Sequence, residues 1–403
     1  MSEPQIGRHR LMKDLNHKAV LELLARQGSL SRVEISARLT LSQASVSRII
    51  ESLSAAHLVR EEGTVSSRPG RPQVLIGLDP SAGTVVAVDL RPWSLRIWLA
   101  DLLGELKAEE EFEPDRDASP DHQADQLVTQ ILDLSVDCTG AGDLVAIAIG
   151  VAAAWDAGKG RIYAARNQGS LEGVDFVALV KRSWAERQVG NCAGPAQLAA
   201  VLVDNDVNLA ACAEAVAGAA LDSDDFFYLS LGSGVGGAAI VAGELYTGVT
   251  GFAGEVGYLP LRDRTGQLVD LEGRISILAL DASLRRIGSA ATACDFVSRP
   301  PNGDDEERLL DEFAEDVAIA IAAVVATFNP SLVVLAGTLG RCCGPVLGRI
   351  DALLATLLPI PPKIVISQVG RDAALIGGLS LALASARTSL LLNRLGGAVA
   401  RSA

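Results

Sequence analysis

The sequence predicts an α/β protein in two parts, an N-terminal winged helix-turn-helix over residues 1–75 and a larger, two-lobed body over 76–403. Three observations predict it. The first part reads as three helical segments followed by two strands around a tip rich in Pro, Gly and Arg. From residue 82 onward, apolar strands, turns and helices alternate. Charge also divides at that point. Residues 1–75 carry 11 Lys and Arg against 7 Asp and Glu, a net of +4, whereas the remainder carries 24 against 42, a net of −18. Phosphate backbones would repel the acidic part and attract the basic one, so a nucleic acid should meet the first 75 residues.

Composition narrows the class. Of 403 residues 49% are apolar, which excludes wholesale disorder, and 39 Gly with 16 Pro excludes collagen-like or linker-dominated chains. Six cysteines, at 138, 192, 212, 294, 342 and 343, are too sparse for a disulfide framework and form no C-x-x-C pair. A reducing cytoplasm is the expected setting. The polar, charged start Met1–Lys18 does not read as a signal peptide. Val317–Gly340 is a charge-free run long enough to span a bilayer, but Asn329-Pro330-Ser331 breaks it. A buried helix feeding a buried parallel strand, Leu332–Leu335, is the expected reading, with no membrane partner.

In the first part, a helical pattern begins near Asn16 and stops at Gly28. Ser31-Arg32-Val33-Glu34 has the capping-box form and opens a short helix to about Leu39. Ser42 is a good N-cap for a third helix, with Val46, Ile49, Ile50 and Leu53 on one stripe. That stripe leaves Ala44, Ser47, Arg48 and Glu51 on the far side, with the N-cap Ser42 and Gln43 and Ser45 around the first turn. Small, hydrogen-bonding side chains there would let the helix enter a major groove and touch base edges. Strands His57–Arg60 and Gln73–Ile76 then flank a tip from which Arg68 and Arg71 could reach a minor groove. The competing reading is a small helical bundle for dimerisation, its arginines merely solvated; the basic wing favours double-stranded DNA.

In the second part, Val85–Asp89 reads as a strand ending in a carboxylate, Leu95–Ala100 as a second strand, 121–138 as a helix and Val145–Gly150 as a third strand. Leu202–Asp206 repeats the strand-then-carboxylate pattern before a helix at Leu209–Gly218. Phe226–Leu231 runs into Gly232-Ser233-Gly234-Val235-Gly236-Gly237, and Ala238–Ala242 continues as a strand. Acidic strand ends are where open α/β sheets place ligands. The glycine run could admit a phosphate to backbone N–H groups, or form a tight hairpin. Asp206 could be a catalytic base or a helix cap. Together, a carboxylate and a glycine loop about 26 residues later suit a base that takes a proton from an alcohol beside bound phosphates.

The motifs resemble those of the ROK family of repressors and sugar kinases. Asn205-Asp206-Val207-Asn208 is similar to its N-D-x-N, Leu231–Gly237 to its L-G-T-G-I-G-G, and Gly251–Tyr258 to its G-x-A-G-E-I-G-H. Asn329-Pro330 before Leu332–Gly337, and Ala373–Gly378, resemble later signatures. The resemblance spans nearly the whole chain and implies the repressor branch, with an actin-like, ribonuclease-H-like duplication clasping a sugar. By the same resemblance, Asn167, Asn205, Asp206, Glu255 and Glu272 would hydrogen-bond sugar hydroxyls, with Tyr258 at the family's histidine position supplying a phenolic O–H or filling space.

Departures from the family pattern shape the expected function. Where ROK kinases carry D-x-G-G-T, this chain has Asp89-Leu90-Arg91-Pro92-Trp93. Proline removes a donor and the missing glycines restrict phosphate approach, although Arg91 could itself meet an anion. Kinase activity is expected to be lost, with Asp206 a vestigial base. The family's zinc ligands are replaced by Tyr258 and a stretch, Leu259–Leu271, without cysteine, so no metal is expected. No cofactor is expected either. The sequence thus predicts a cytoplasmic DNA-binding repressor of carbohydrate-related genes, controlled by a small carbohydrate-like effector and acting on operator DNA as a homodimer or dimer of dimers. The alternatives are an ATP-dependent sugar kinase with an accessory DNA-binding arm, and a ligand-independent scaffold.

Overall fold

The computed structural model describes residues 3–65, 72–115, 117–136, 142–166, 168–188, 200–263 and 265–396. Arg68, Arg71 and Asn167 lie outside the described residues, as do Cys138 and Cys192.

The chain opens with α1 (Glu3–Gln27), β1 (Leu30–Ser31), α2 (Arg32–Leu39), α3 (Gln43–Ala55), β2 (Val59–Val65) and β3 (Gln73–Leu78). The helix expected from Asn16 starts thirteen residues earlier, at Glu3, and ends, as expected, before Gly28, whose φ is +73°. The capping box forms. The Ser31 hydroxyl accepts from the Glu34 N–H, and the Glu34 carboxylate accepts from the Ser31 N–H at 2.8 Å. Ser42 caps α3 by accepting from the Ser45 N–H at 3.1 Å. The stripe Val46, Ile49, Ile50 and Leu53 is buried. The wing is a three-stranded antiparallel sheet in the order β1-β3-β2, the third strand being the two-residue β1. The boundary expected at residue 75 falls inside β3, which pairs with β2 through Leu78.

The body begins with β4 (Thr84–Arg91), β5 (Ser94–Asp101), β6 (Leu106–Phe112), α4 (Pro120–Val136), β7 (Leu144–Val151), β8 (Ala154–Asp156), β9 (Arg161–Tyr163), α5 (Phe176–Gln188) and β10 (Ala200–Asn205). It continues with α6 (Asp206–Ala217), β11 (Phe226–Leu231), β12 (Val235–Val241), β13 (Glu244–Tyr246), β14 (Pro260–Arg262), β15 (Leu268–Asp270), α7 (Glu272–Ile275), α8 (Ile277–Arg286), α9 (Ala293–Ser298) and α10 (Asp304–Phe328). It closes with β16 (Leu332–Ala336), α11 (Gly337–Gly340), α12 (Leu347–Leu357), β17 (Lys363–Ile366) and α13 (Ala373–Gly396).

Two five-stranded sheets among the described residues have one topology. In order they are β6-β5-β4-β7-β10 and β13-β12-β11-β16-β17. In each, an antiparallel meander of three strands is extended by two parallel strands. This internal repeat is the two-lobed architecture expected from the sequence. The charge-free run 317–340 divides as expected, into the end of α10 and the buried parallel strand β16. The segment Gly370–Leu395 is long and apolar enough to cross a bilayer by length and composition, yet its Ala374, Leu375, Ala382, Ala386 and Leu390 are buried.

α6 and α13 lie between the two sheets. α13 packs on β4 and β7 of the first, and α6 packs on β12 and against α13. The helices meet closely at Gly377, where a Cβ would run into the Leu209 carbonyl oxygen. The core of the winged domain is continuous with the body. Val20, Leu24, Val46, Ile50, Leu53 and Ile76 share one apolar cluster with Val85, Val145, Ala382 and Ala386. Leu53 is fully buried in it. Leu53→Ala should therefore cost about 2–5 kcal/mol, read as an earlier urea transition. A shift near zero would contradict this packing.

Candidate functional site

The cleft between the lobes is built at strand ends. β4 is buried along its length and delivers Asp89, 1% exposed, to its carboxyl end. Two residues on, the Arg91 Nε donates to the Asp89 carboxylate at 3.0 Å. Burial pushes the Asp89 carboxyl above its ordinary value, while the Arg91 guanidinium draws it back down. Pro92 and Trp93 follow at the rim.

β10 ends at Asn205, which caps α6. Its side-chain oxygen accepts from the Val207 N–H at 2.7 Å and the Asn208 N–H at 3.3 Å. The same side chain donates to the Ala153 carbonyl at 3.1 Å and to Glu255 Oε1 at 3.3 Å. Asp206 is therefore the first residue of α6 rather than the last of a strand; the helix dipole claims it because Asn205 supplies the cap. Burial raises the Asp206 carboxyl to about 6; Arg91 pulls it down and Asp89 pushes it up. Glu255 is raised to about 7 by burial, then by the neighbouring Asp206 and Glu272 carboxylates.

The glycine run is a tight hairpin between β11 and β12, closed by the Gly232 N–H donating to the Gly234 carbonyl at 2.9 Å. β12 begins inside it, at Val235, whose N–H donates to Glu272 Oε2 at 3.0 Å. Glu272 thereby ties the hairpin to the opposite wall. Its other oxygen receives Arg166 Nη1 at 3.1 Å, and the same nitrogen reaches Asp270 at 3.0 Å. The Arg166 guanidinium also donates to the Tyr258 hydroxyl at 2.9 Å and lies 3.7 Å from the centre of that ring. Arg166 comes from the first lobe and its partners from the second, so this cluster bridges the cleft.

Together these groups line a cavity of about 250 Å³. It gathers Asn205, Asp206, Glu255, Tyr258 and Glu272, five of the six residues expected to meet a sugar; Asn167 is outside the described residues. Arg91, Arg166, Tyr228, Arg341 and Arg371 also line it. The cavity lies just under the roughly 300–1,000 Å³ of pockets for drug-sized ligands. Carboxylates, an amide and a phenol facing such a space can hold several hydroxyl groups at once.

A family profile described as "ROK family" matches residues 85–385. The chain belongs to the ROK family. A winged helix-turn-helix DNA-binding profile matches residues 13–60 ahead of the ROK domain. The xylose repressor of Caldicellulosiruptor bescii is 26% identical over 354 residues, covering 82% of this chain and 84% of that protein. The crystal structure of a ROK family transcriptional regulator, a homologue of the Escherichia coli MLC protein, has a TM-score of 0.76 at 21% identity and covers 95% of this chain and 99% of its own. The ROK hexokinase of Thermus thermophilus has a TM-score of 0.58 at 22% identity and covers 75% and 97%. These two structures are alike in fold: the regulator's likeness extends over almost the whole chain, the hexokinase's over three quarters of it.

The zinc ligation that the ROK resemblance implies does not fit these residues. The β14–β15 hairpin beyond Tyr258 holds neither cysteine nor histidine. Among the described residues no group of three metal-ligating side chains forms elsewhere. Arg166, Tyr228, Arg341 and Arg371 escaped the sequence reading. Arg166 has a faint signal, a basic residue directly before Asn167, and Tyr228 is a polar tip within the apolar strand Phe226–Leu231. Arg341 and Arg371 carry none.

On α3, Ser42, Gln43, Ala44 and Arg48 are exposed, and Ser45 and Ser47 half-buried. The helix buries one stripe and leaves the other open.

The raised carboxyls give the folded chain a pH signature. Asp206 and Glu255 keep their protons at pH values where the unfolded chain has lost them. Folding therefore takes up protons, and stability falls as pH rises from the ordinary carboxylate range through about 6 for Asp206 and about 7 for Glu255. Glu255→Gln should raise the melting temperature at about pH 8, by the equivalent of roughly 2–3 kcal/mol, and flatten its dependence below neutrality. Melting across that range is the check; a variant less stable than the parent at high pH would contradict it.

Proposed function

We propose that the chain is a cytoplasmic DNA-binding transcriptional regulator, a repressor of carbohydrate-related genes whose cleft takes a sugar or sugar derivative as effector. The observation that carries the reading is a single chain in which a helix open on its outer face is joined to a monosaccharide-sized, carboxylate-lined cavity. The matched ROK transcriptional regulator supports it, since its likeness covers 95% of the chain and so reaches the front as well as the body; the matched xylose repressor, named as a repressor and covering 82% of the chain, agrees.

In this reading residues 1–75, completed by β3 to Leu78, read double-stranded operator DNA, and 76–403 form the effector and dimerisation part. Ser42, Gln43, Ala44, Ser45, Ser47 and Arg48 face base edges and phosphates in the major groove, and Arg68 and Arg71 reach the minor groove. A homodimer, or a dimer of dimers, would set two such helices on half-sites about 34 Å apart. In the cleft, Asn167, Asn205, Asp206, Glu255, Tyr258 and Glu272 contact the effector. An effector acts only through different affinity for two closures of the lobes.

A second reading, an ATP-dependent sugar kinase, draws on one observation: Asp206, raised to about 6, lines the same cavity as the Gly232–Gly236 hairpin. Against it, Arg91 is held on Asp89 and Pro92 follows, where a phosphate-binding turn needs glycines and free N–H groups. Phosphoryl transfer depends on positioning and charge stabilisation, so this site should be inert.

Gel shift on duplex DNA from upstream of its own gene should show a complex at low salt. Arg48→Ala should weaken it by about 1–3 kcal/mol. Thermal melting against pentoses, hexoses and amino sugars should find at least one that raises the melting temperature by mass action. No complex at low salt sinks the regulator. ATP turnover with any of these sugars, abolished by Asp206→Asn, restores the kinase.

A further inference from the structure

α13 joins the cavity to the helix proposed to read DNA. Ala373 and Ala374, its first residues, line the cavity, and Arg394 lies in its last turn. At about 1.5 Å per residue the helix covers roughly 30 Å between them.

At the cavity end, α13 touches α6 main chain to main chain, because Gly377 sits against the Leu209 carbonyl with no room for a Cβ. α6 itself starts at Asp206 in the cavity wall. A shift of Asp206 thus reaches α13 without passing through a flexible side chain. At the far end, the Arg394 guanidinium donates to the carbonyls of Ala56 and His57, both at 3.2 Å, and of Ala82 at 2.6 Å. Ala56 is the C-cap of α3 and His57 the next residue; Ala82 lies in the turn that joins the winged domain to the first lobe. Carbonyls at a helix C-terminus lack intrahelical partners, and a cation there also meets the negative end of the helix dipole.

One group in the same helix works against this docking. Arg387 has its Nε buried without a hydrogen-bond partner among the described residues. Two charges of α1 act on it, Glu22 attracting and Arg26 repelling. A buried donor left unmade penalises the docked arrangement, and the penalty ends when the winged domain moves off and water reaches the group.

We propose that Arg394 is the positioning residue that holds α3 to the end of α13, and that Arg387 keeps this docking near balance, so that a change at the cavity releases the DNA-reading domain. A made contact and an unmet donor on one helix, acting in opposite directions, supply the two-state element that coupling between distant sites requires. What the movement controls rests on the regulator reading; the docking itself belongs to the free protein.

Hydrogen exchange of the free full-length chain tests the docking. Arg394→Met should speed exchange at the end of α3 and in the 79–83 turn by about tenfold or more, and Arg394→Lys should recover part of the protection. Arg387→Met should slow exchange at the same amides and raise the melting temperature. On duplex DNA from upstream of the chain's own gene, Arg394→Met should lower affinity about tenfold without changing the slope of log affinity against log salt, since no phosphate contact is lost. Unchanged exchange in Arg394→Met, or faster exchange in Arg387→Met, overturns the proposal. So does a salt slope reduced by about 1, which would make Arg394 a phosphate contact. Should Arg394→Met fail to fold, Arg387→Met alone decides by the same exchange readout. Exchange that responds as expected in a protein binding no DNA leaves the lever standing and removes the regulator.

Discussion

A guanidinium tethered at the end of a buried strand neutralises a carboxylate that burial would otherwise leave without a partner. Asp89 sits near the end of β4, behind the cavity-lining Arg91, with almost no water contact, and an unpaired carboxylate there would be strongly destabilising. Arg91 is the partner that makes it tolerable. Removing Arg91 would leave Asp89 buried without its hydrogen-bond partner. Pro92, which has no backbone N–H, follows directly on Arg91 at the strand end.

The opposite wall is held by a different device. Arg166, stacked on Tyr258 and bonded to Asp270 and Glu272, crosslinks the lobes through side chains alone. Glu272 extends the link to the glycine hairpin through Val235. Between these two cationic anchors stand Asp206, raised by burial and by Asp89, and Glu255, raised by burial and by Asp206 and Glu272. Their ready protonation lets either one donate as well as accept, which is the versatility a hydroxyl-rich ligand asks of its site. Asn205 is more committed, since its oxygen already caps two N–H groups of α6.

The winged domain was legible because its signals are local. A capping box, an N-cap serine and a buried stripe each act within one helix, and all three form. β1 was not legible, since two residues carry no periodicity. β6, Leu-Lys-Ala-Glu-Glu-Glu-Phe, was not legible either, because its charges, which suit an edge strand, hide the alternation of a strand. At the cavity, the motif resemblance singled out Asn205, Asp206, Glu255, Tyr258 and Glu272, which all line the one cavity. The Arg166 contacts join residues 92 to 106 positions apart, and Arg394 meets α3 across 338. No spacing rule in a single chain encodes such pairs; only the packed lobes bring them together.

The most direct measurement is a crystal structure of the full chain with a stabilising sugar, set beside one grown with a non-hydrolysable ATP analogue. The sugar is expected in the inter-lobe cavity, its hydroxyls on Asp206 and Glu255, with Arg91 still on Asp89 and no nucleotide density in the second crystal. An analogue seated at the end of β4 with Arg91 swung off Asp89, or a sugar bound elsewhere while the cavity stays shut, would contradict it.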